Sequence, residues 1–191
     1  MFMRAFETFV RARGLEMRIT RYALFQSIFR VGEPEHLDVA EGRALFDAFF
    51  ETDVGNIEPA PGARHALAML ARDATVVILT NAPAHSRDAR ARWLVENGFP
   101  YPLLVNSGLK GPAVAALCAR TAGPAAFVDD LLPNLDSVAS EAPGVFRFQM
   151  VADERLRPLA LSAPERHVRI DDWPALAPAI ARVLRIGEAD A

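Results

Sequence analysis

The stretch from Ala125 to Asn134, AAFVDDLLPN, constrains the fold most. Four apolar residues, Ala125 to Val128, follow Gly123-Pro124 and stop at two adjacent carboxylates, Asp129 and Asp130. A short apolar run bounded by turn residues and by charge reads as a buried strand. A buried parallel strand that ends in acid marks the carboxyl edge of an open α/β sheet, where such sheets place their chemistry. Side-by-side carboxylates repel each other unless a cation or donor lies between them. Hard oxygens so spaced suit Mg²⁺, which takes one or two carboxylates together with water and substrate phosphate. Taken alone, the same residues also make a solvated turn in which Asp caps the next helix.

A chain of 191 residues can hold one domain with a full core and a small accessory subdomain. Its net charge of −3 gives no reason to expect nucleic acid or an anionic membrane as partner. No apolar run approaches the roughly 20 residues of a bilayer span. The opening MFMRAFETFVRARG carries acid and aromatic residues in a helical rhythm, unlike a secretory signal. Cys118 stands alone, so no internal disulfide forms, which fits a reducing cytoplasm. Its apolar helical setting reads as a structural thiol. Of the 21 basic residues, all but Lys110 are arginine. Lysine is a compact point charge where arginine is a broad planar fork, so this position suits a single phosphate oxygen beside a metal. Chance survival of one lysine is the competing account.

Residues 2–58 read as helical throughout. Phe6, Phe9 and Val10 recur at helical spacing, as do Leu24, Phe25, Ile28 and Phe29, then Leu45, Phe46, Phe49 and Phe50. Thr20 and Asp38 are candidate N-caps, and Val31-Gly32-Glu33-Pro34 is a break. The texture changes at Ile57-Glu58-Pro59-Ala60-Pro61-Gly62, which predicts a helical subdomain over 1–58 and an α/β core over 59–191. From there helices and strands alternate, the pattern of a parallel sheet. Helices are predicted over 63–72, 84–96, 112–120, near 132–140, and from an Asp172 cap through about 185. Strands are predicted over 75–79, 102–105, 125–128, 145–149 and 168–170. The four histidines share no spacing that would suit a metal.

The strand TVVIL runs into Thr80-Asn81-Ala82-Pro83, and Gly108-Leu109-Lys110-Gly111-Pro112 puts the solitary lysine before a helix start. Thr80, Asn81 and the neighbouring amides are donors suited to phosphate oxygens, although Thr-Asn-x-Pro is equally a turn and cap sequence. Hydroxyl, ammonium and acidic pair therefore come in order on successive sheet-edge loops. That order resembles the haloacid dehalogenase-like superfamily, most of whose members are Mg²⁺-dependent phosphatases. Thr80 with its strand resembles the second motif of that family, Lys110 the third, and FVDDLLPN the fourth. The resemblance implies that Asp130, with Asp129 beside it, ligates Mg²⁺, and that Asn134 supports them. It implies that Thr80, Asn81 and Lys110 hold the phosphoryl group of a small phosphorylated molecule, and that residues 1–58 form a helical cap over a Rossmann-like sheet.

The family's first motif, DxD after an apolar strand, supplies the nucleophile and the general acid-base, and no DxD occurs in this sequence. In the family that strand lies at the sheet centre, between the strands matching 75–79 and 125–128. Removing it leaves a gap of roughly 10 Å, twice the usual spacing. The expectation is a sheet without its central strand, in a sequence that starts late relative to the family. A hydrolase of the phosphatase type with little or no turnover follows from this reading. A non-catalytic module that binds a phosphate ligand or a protein needs the same pocket and no nucleophile. Carbon–halogen hydrolysis would need the missing Asp and has no use for the acidic pair. A nicotinamide enzyme is disfavoured, because no GxGxxG follows any strand.

Overall fold

The computed structural model describes residues 1–187. Helix α1 (Phe2–Arg11) buries Phe6, Phe9 and Val10 along one stripe. After a turn at Gly14 the chain forms β1 (Leu15–Met17), which pairs antiparallel with β2 (Ile28–Arg30), Leu15 standing opposite Arg30. This hairpin corrects the reading of residues 2–58 as helical throughout. Leu24, Phe25, Ile28 and Phe29 have helical spacing, yet only Phe25–Ser27 makes a 3₁₀ turn before β2 begins. Their β-branched and aromatic residues suit a pleated surface as well as a helix, and pairing with β1 decided between the two. Thr20 caps no helix. Helix α2 (Val39–Thr52) starts at Asp38, where Asp38 and Glu41 close a reciprocal capping box.

From residue 59 onward the alternation follows the sequence closely. The elements are α3 (Ala63–Leu70), β3 (Ile78–Thr80), α4 (Arg87–Glu96), β4 (Leu103–Val105), α5 (Gly111–Cys118) and β5 (Ala126–Asp129). They continue with α6 (Leu132–Glu141), β6 (Phe146–Gln149), β7 (Val168–Arg169) and α7 (Trp173–Leu184), the last capped by Asp172. Strands β3 and β4 pair parallel, as do β5, β6 and β7 in that order. The molecule is an α/β protein with small parallel sheets. Among the described residues no helix is long and apolar enough to cross a membrane.

The two parallel pieces do not pair with each other. They nevertheless share the helices on both faces. Leu79 of β3 and Phe127 of β5 meet one apolar cluster with Val114 of α5 and Leu135 and Val138 of α6. On the opposite face, Leu67 of α3 touches both the cluster that holds Ile78 and the one that holds Val128. Strands β3 and β5 thus flank a break in the sheet without having closed it.

The largest apolar cluster runs straight through position 58. It joins Phe6, Phe9, Phe49 and Phe50 to Ile57, Ala63, Trp93, Leu94 and Phe99. Trp93 of α4 also donates its indole N–H to the Ile57 carbonyl at 2.8 Å, a buried bond across the boundary.

Candidate functional site at the carboxyl edge

Asp129 is the last residue of β5, and its side chain is almost fully buried, with 3 % of its surface exposed. A carboxylate in that position needs donors, and the local fold supplies three. Lys110 Nζ lies 2.7 Å from Oδ2. The Leu131 amide donates to Oδ1 at 2.9 Å, and the buried Asn134 side-chain amide donates to Oδ1 at 3.0 Å. The first bond is an Asx turn that starts α6, and the second comes from that helix's first turn.

Lys110 reaches Asp129 because α5 begins hard against α6. The Gly111 amide donates to Ser137 Oγ at 3.1 Å, and a Cβ on Gly111 would stand only 2.4 Å from the Ser137 carbonyl oxygen. Glycine is required by that approach, and Pro112 in the first turn fixes the helix entry. The loop before Lys110 is held by two asparagines. Asn81 donates to the Gly108 carbonyl at 2.9 Å, and Asn106 donates to Asn81 Oδ1 at 2.9 Å and to the Gly108 carbonyl at 3.1 Å.

The residues singled out from the sequence fall into two groups. Lys110, Asp129 and Asn134 are joined directly, with Asp130 next along the chain. Asn81 connects to them through the loop it anchors. Thr80 sits at the end of β3, where its hydroxyl oxygen accepts the Ala82 amide at 3.1 Å. No hydrogen bond joins Thr80 to Lys110, Asp129 or Asp130.

Asp130 leaves the strand and lines a cavity of about 710 Å³ between the two parallel pieces, with Ile78 and Val128 on its walls. Its Oδ2 accepts the Tyr22 hydroxyl at 2.6 Å. Crowding by protein raises the Asp130 pKa above the ordinary aspartate value, and Asp129 pushes the same way, against the Tyr22 hydrogen bond. Burial and the facing Asp130 raise the Tyr22 phenol in turn. Sequence reasoning missed Tyr22, which reaches the site from the β1–β2 connection. It also missed Arg90 of α4, which lines the same cavity and stacks its guanidinium 4.3 Å from the Trp93 ring centre. Arg90 Nη1 is buried without a hydrogen-bond partner, and burial lowers the side chain's pKa to about 10. No periodicity or motif singles out either residue.

At the strand end Asp129 is paired with Lys110, while Asp130 accepts the Tyr22 hydroxyl and shares its cavity with Arg90. Among the described residues no cluster of three or more His, Cys, Asp or Glu side chains could enclose a metal. A cation here would have two protein carboxylates and would complete its shell with water or ligand oxygens, which is how Mg²⁺ is ordinarily held. The donors at this edge are oxygens, the type Mg²⁺ takes, but both Asp129 oxygens already accept from Lys110, Leu131 and Asn134 and one Asp130 oxygen from Tyr22, so a cation would have to displace some of these bonds.

Strand ends, paired charges and a flanking cavity define an α/β protein with its polar constellation at the carboxyl edge of a parallel sheet. Comparison with protein-family models, with curated proteins and with solved structures finds no match for this chain.

Proposed function

We propose that the carboxyl edge of β3, β4 and β5 is the phosphate- and Mg²⁺-binding part of a haloacid dehalogenase-like phosphohydrolase site, with the N-terminal segment as its cap. The observation that carries this reading is the buried Lys110–Asp129 pair at the end of β5, with Asp130 next to it on the cavity wall. Asp129 and Asp130 would hold the cation, which supplies positive charge for phosphate oxygens. Lys110 offers the ammonium protons that its carboxylate partner leaves free, and Asn134 keeps Asp129 oriented. Asn81 acts through the Gly108 loop, and Thr80 offers a hydroxyl at the neighbouring strand end. Catalysis of phosphoryl transfer rests on positioning and electrostatics around an attacking group. No DxD carboxylate is present in these 191 residues to attack phosphorus. The reading is therefore of a site that binds a small phosphorylated molecule without turning it over.

Titration calorimetry with inorganic phosphate, with and without Mg²⁺, tests this directly. The expected result is phosphate binding that requires Mg²⁺ and is lost in Asp130→Asn, with no release of phosphate from an aryl phosphate. Robust Mg²⁺-dependent turnover by these residues would overturn the assignment of roles. Absence of phosphate binding at millimolar concentration would overturn the site itself.

A further inference from the structure

Each side-chain oxygen of the acidic pair but one accepts a hydrogen bond. Asp129 Oδ1 accepts from the Leu131 and Asn134 amides, Asp129 Oδ2 takes the Lys110 ammonium, and Asp130 Oδ2 takes the Tyr22 hydroxyl. Among the described residues no other residue donates to Asp130 Oδ1. A cation that takes Asp129 must displace donors there, whereas Asp130 Oδ1 is open to it. The residue that carries this oxygen is held at both ends. Its backbone carbonyl accepts the side-chain amide of buried Gln149 at 3.2 Å, and the same nitrogen donates to the Leu161 carbonyl at 2.7 Å. Its carboxylate is held by Tyr22 at 2.6 Å, the length of a charge-assisted O–H···O⁻ bond.

Tyr22 belongs to the connection between β1 and β2, residues 18–27, which closes on itself. The Arg18 amide donates to the Ser27 carbonyl at 2.9 Å, the Ser27 amide to the Leu24 carbonyl at 3.1 Å, and Ser27 Oγ to the Ala23 carbonyl at 2.7 Å. Among the described residues, the Tyr22–Asp130 bond is the one hydrogen bond that ties this connection to the α/β core. We propose that Tyr22 is a positioning residue for cation binding: its hydroxyl holds Asp130 Oδ2 and so presents Oδ1 to the metal, and metal loading and docking of the connection favour each other. The inference rests on the reading of Asp130 as a cation ligand. A carboxylate free to turn loses that freedom when it meets a metal, whereas one held by a donor has already lost it in folding. Outer-shell donors of this kind contribute about tenfold to a hundredfold to metal affinity. For the hydroxyl instead to block the cation, the metal would have to take the occupied oxygen while its neighbour stands open. By linkage, whatever factor the Tyr22 bond adds to metal binding, bound metal adds to closure of the connection.

The probe is Mg²⁺ together with inorganic phosphate. Titration calorimetry compares the parent with Tyr22→Phe, which keeps the ring and removes the hydroxyl. The Mg²⁺ concentration needed for half-maximal phosphate binding should rise about tenfold or more in the variant. Amide hydrogen exchange adds a readout that needs no variant. In the parent, saturation with Mg²⁺ and phosphate should slow the Arg18, Thr20 and Ser27 amides, which bond within the connection, by about threefold or more. In Tyr22→Phe, saturated at higher Mg²⁺, the same amides should keep their unliganded rates, a result that a merely structural hydrogen bond would not produce. Equal affinity in parent and variant overturns this proposal and leaves the phosphate site standing. Tighter binding by the variant also overturns it, because the hydroxyl then competes with the cation. Unchanged or faster exchange of the three amides in the saturated parent does the same. A parent that binds no phosphate at millimolar concentration overturns the site and the role of Tyr22 together.

Discussion

Lys110 and Asp129 depend on each other because neither charge has water to fall back on; their side chains expose 13 % and 3 % of their surface. Removing one member of a buried pair strands the other, at a cost of about 3–5 kcal/mol. Lys110→Met should lower stability by that order in urea unfolding, and the double variant with Asp129→Asn, which removes the stranded charge and keeps an oxygen for the Leu131 and Asn134 donors, should recover part of the loss. If the single variant is as stable as the parent, the pair is not buried as described. Asp130 behaves oppositely. Its folded-state pKa is raised, chiefly by desolvation, so its contribution to stability is greatest in acid and is lost as pH rises through that raised value. Asp130→Asn should therefore melt higher than the parent at pH 7, with the difference closing toward pH 4. A difference that widens in acid would contradict the assigned environment. At this scale the sequence disclosed the acidic pair and the lysine, since adjacent carboxylates after an apolar run and a solitary ammonium stand out unaided. Tyr22 and Arg90 were hidden because only tertiary packing brings a hairpin tyrosine and a helix arginine to one cavity.

The elements that carry the site are fixed by a few close approaches. Helix α5 can begin beside α6 only without a side chain at Gly111. Gly111→Ala places a Cβ against the Ser137 backbone, and overpacking of this kind costs about 1–3 kcal/mol. The same shift draws Lys110 away from Asp129, so the variant should also lose any affinity for phosphate, whereas a surface Gly→Ala at Gly55, where a Cβ meets nothing, should change neither. A second clasp joins α1 to the segment after β6. Arg155 bonds Asp153 through two nitrogens at 3.0 and 2.8 Å and reaches Glu7 at 2.7 Å. The Arg155 hydrogen bonds hold the Asp153 pKa below its ordinary 3.8. That contribution to stability is complete above 3.8 and is lost as pH falls through the lower folded value. Arg155→Gln should melt lower than the parent at pH 7 and converge with it in strong acid. From β3 to α7 the order of elements was legible, because apolar runs four or five residues long and capped helices have only one reading in alternation. The β1–β2 hairpin was not. Its residues satisfy helical spacing, and the partner strand that decides the matter lies eleven residues away from the end of one to the start of the other.

For the whole molecule, the decisive contrast lies between the seam at position 58 and the break between β3 and β5. The sequence marks the first as a boundary with two prolines and a glycine, and the structure fills it with a shared core. Nothing in the composition marks the second, where the pieces of sheet are linked through helices and no ladder. Cooperativity follows buried apolar contact more than chain punctuation, so residues 2–58 and the remainder should unfold together. In a Trp173→Phe background, which leaves Trp93 as the single tryptophan, Trp93 reports on that seam, being buried and bonded to Ile57, while far-UV circular dichroism reports on helices everywhere. In urea the two signals should trace one transition with a common midpoint, as a two-state unit requires. Phe49→Ala, which removes a fully buried ring touching α1 and α2, should move both midpoints together, at a cost of about 3–5 kcal/mol. A cap that folds by itself would instead separate the curves, with helical signal lost while Trp93 fluorescence holds. In that case the Phe49→Ala variant would shift only the first of them.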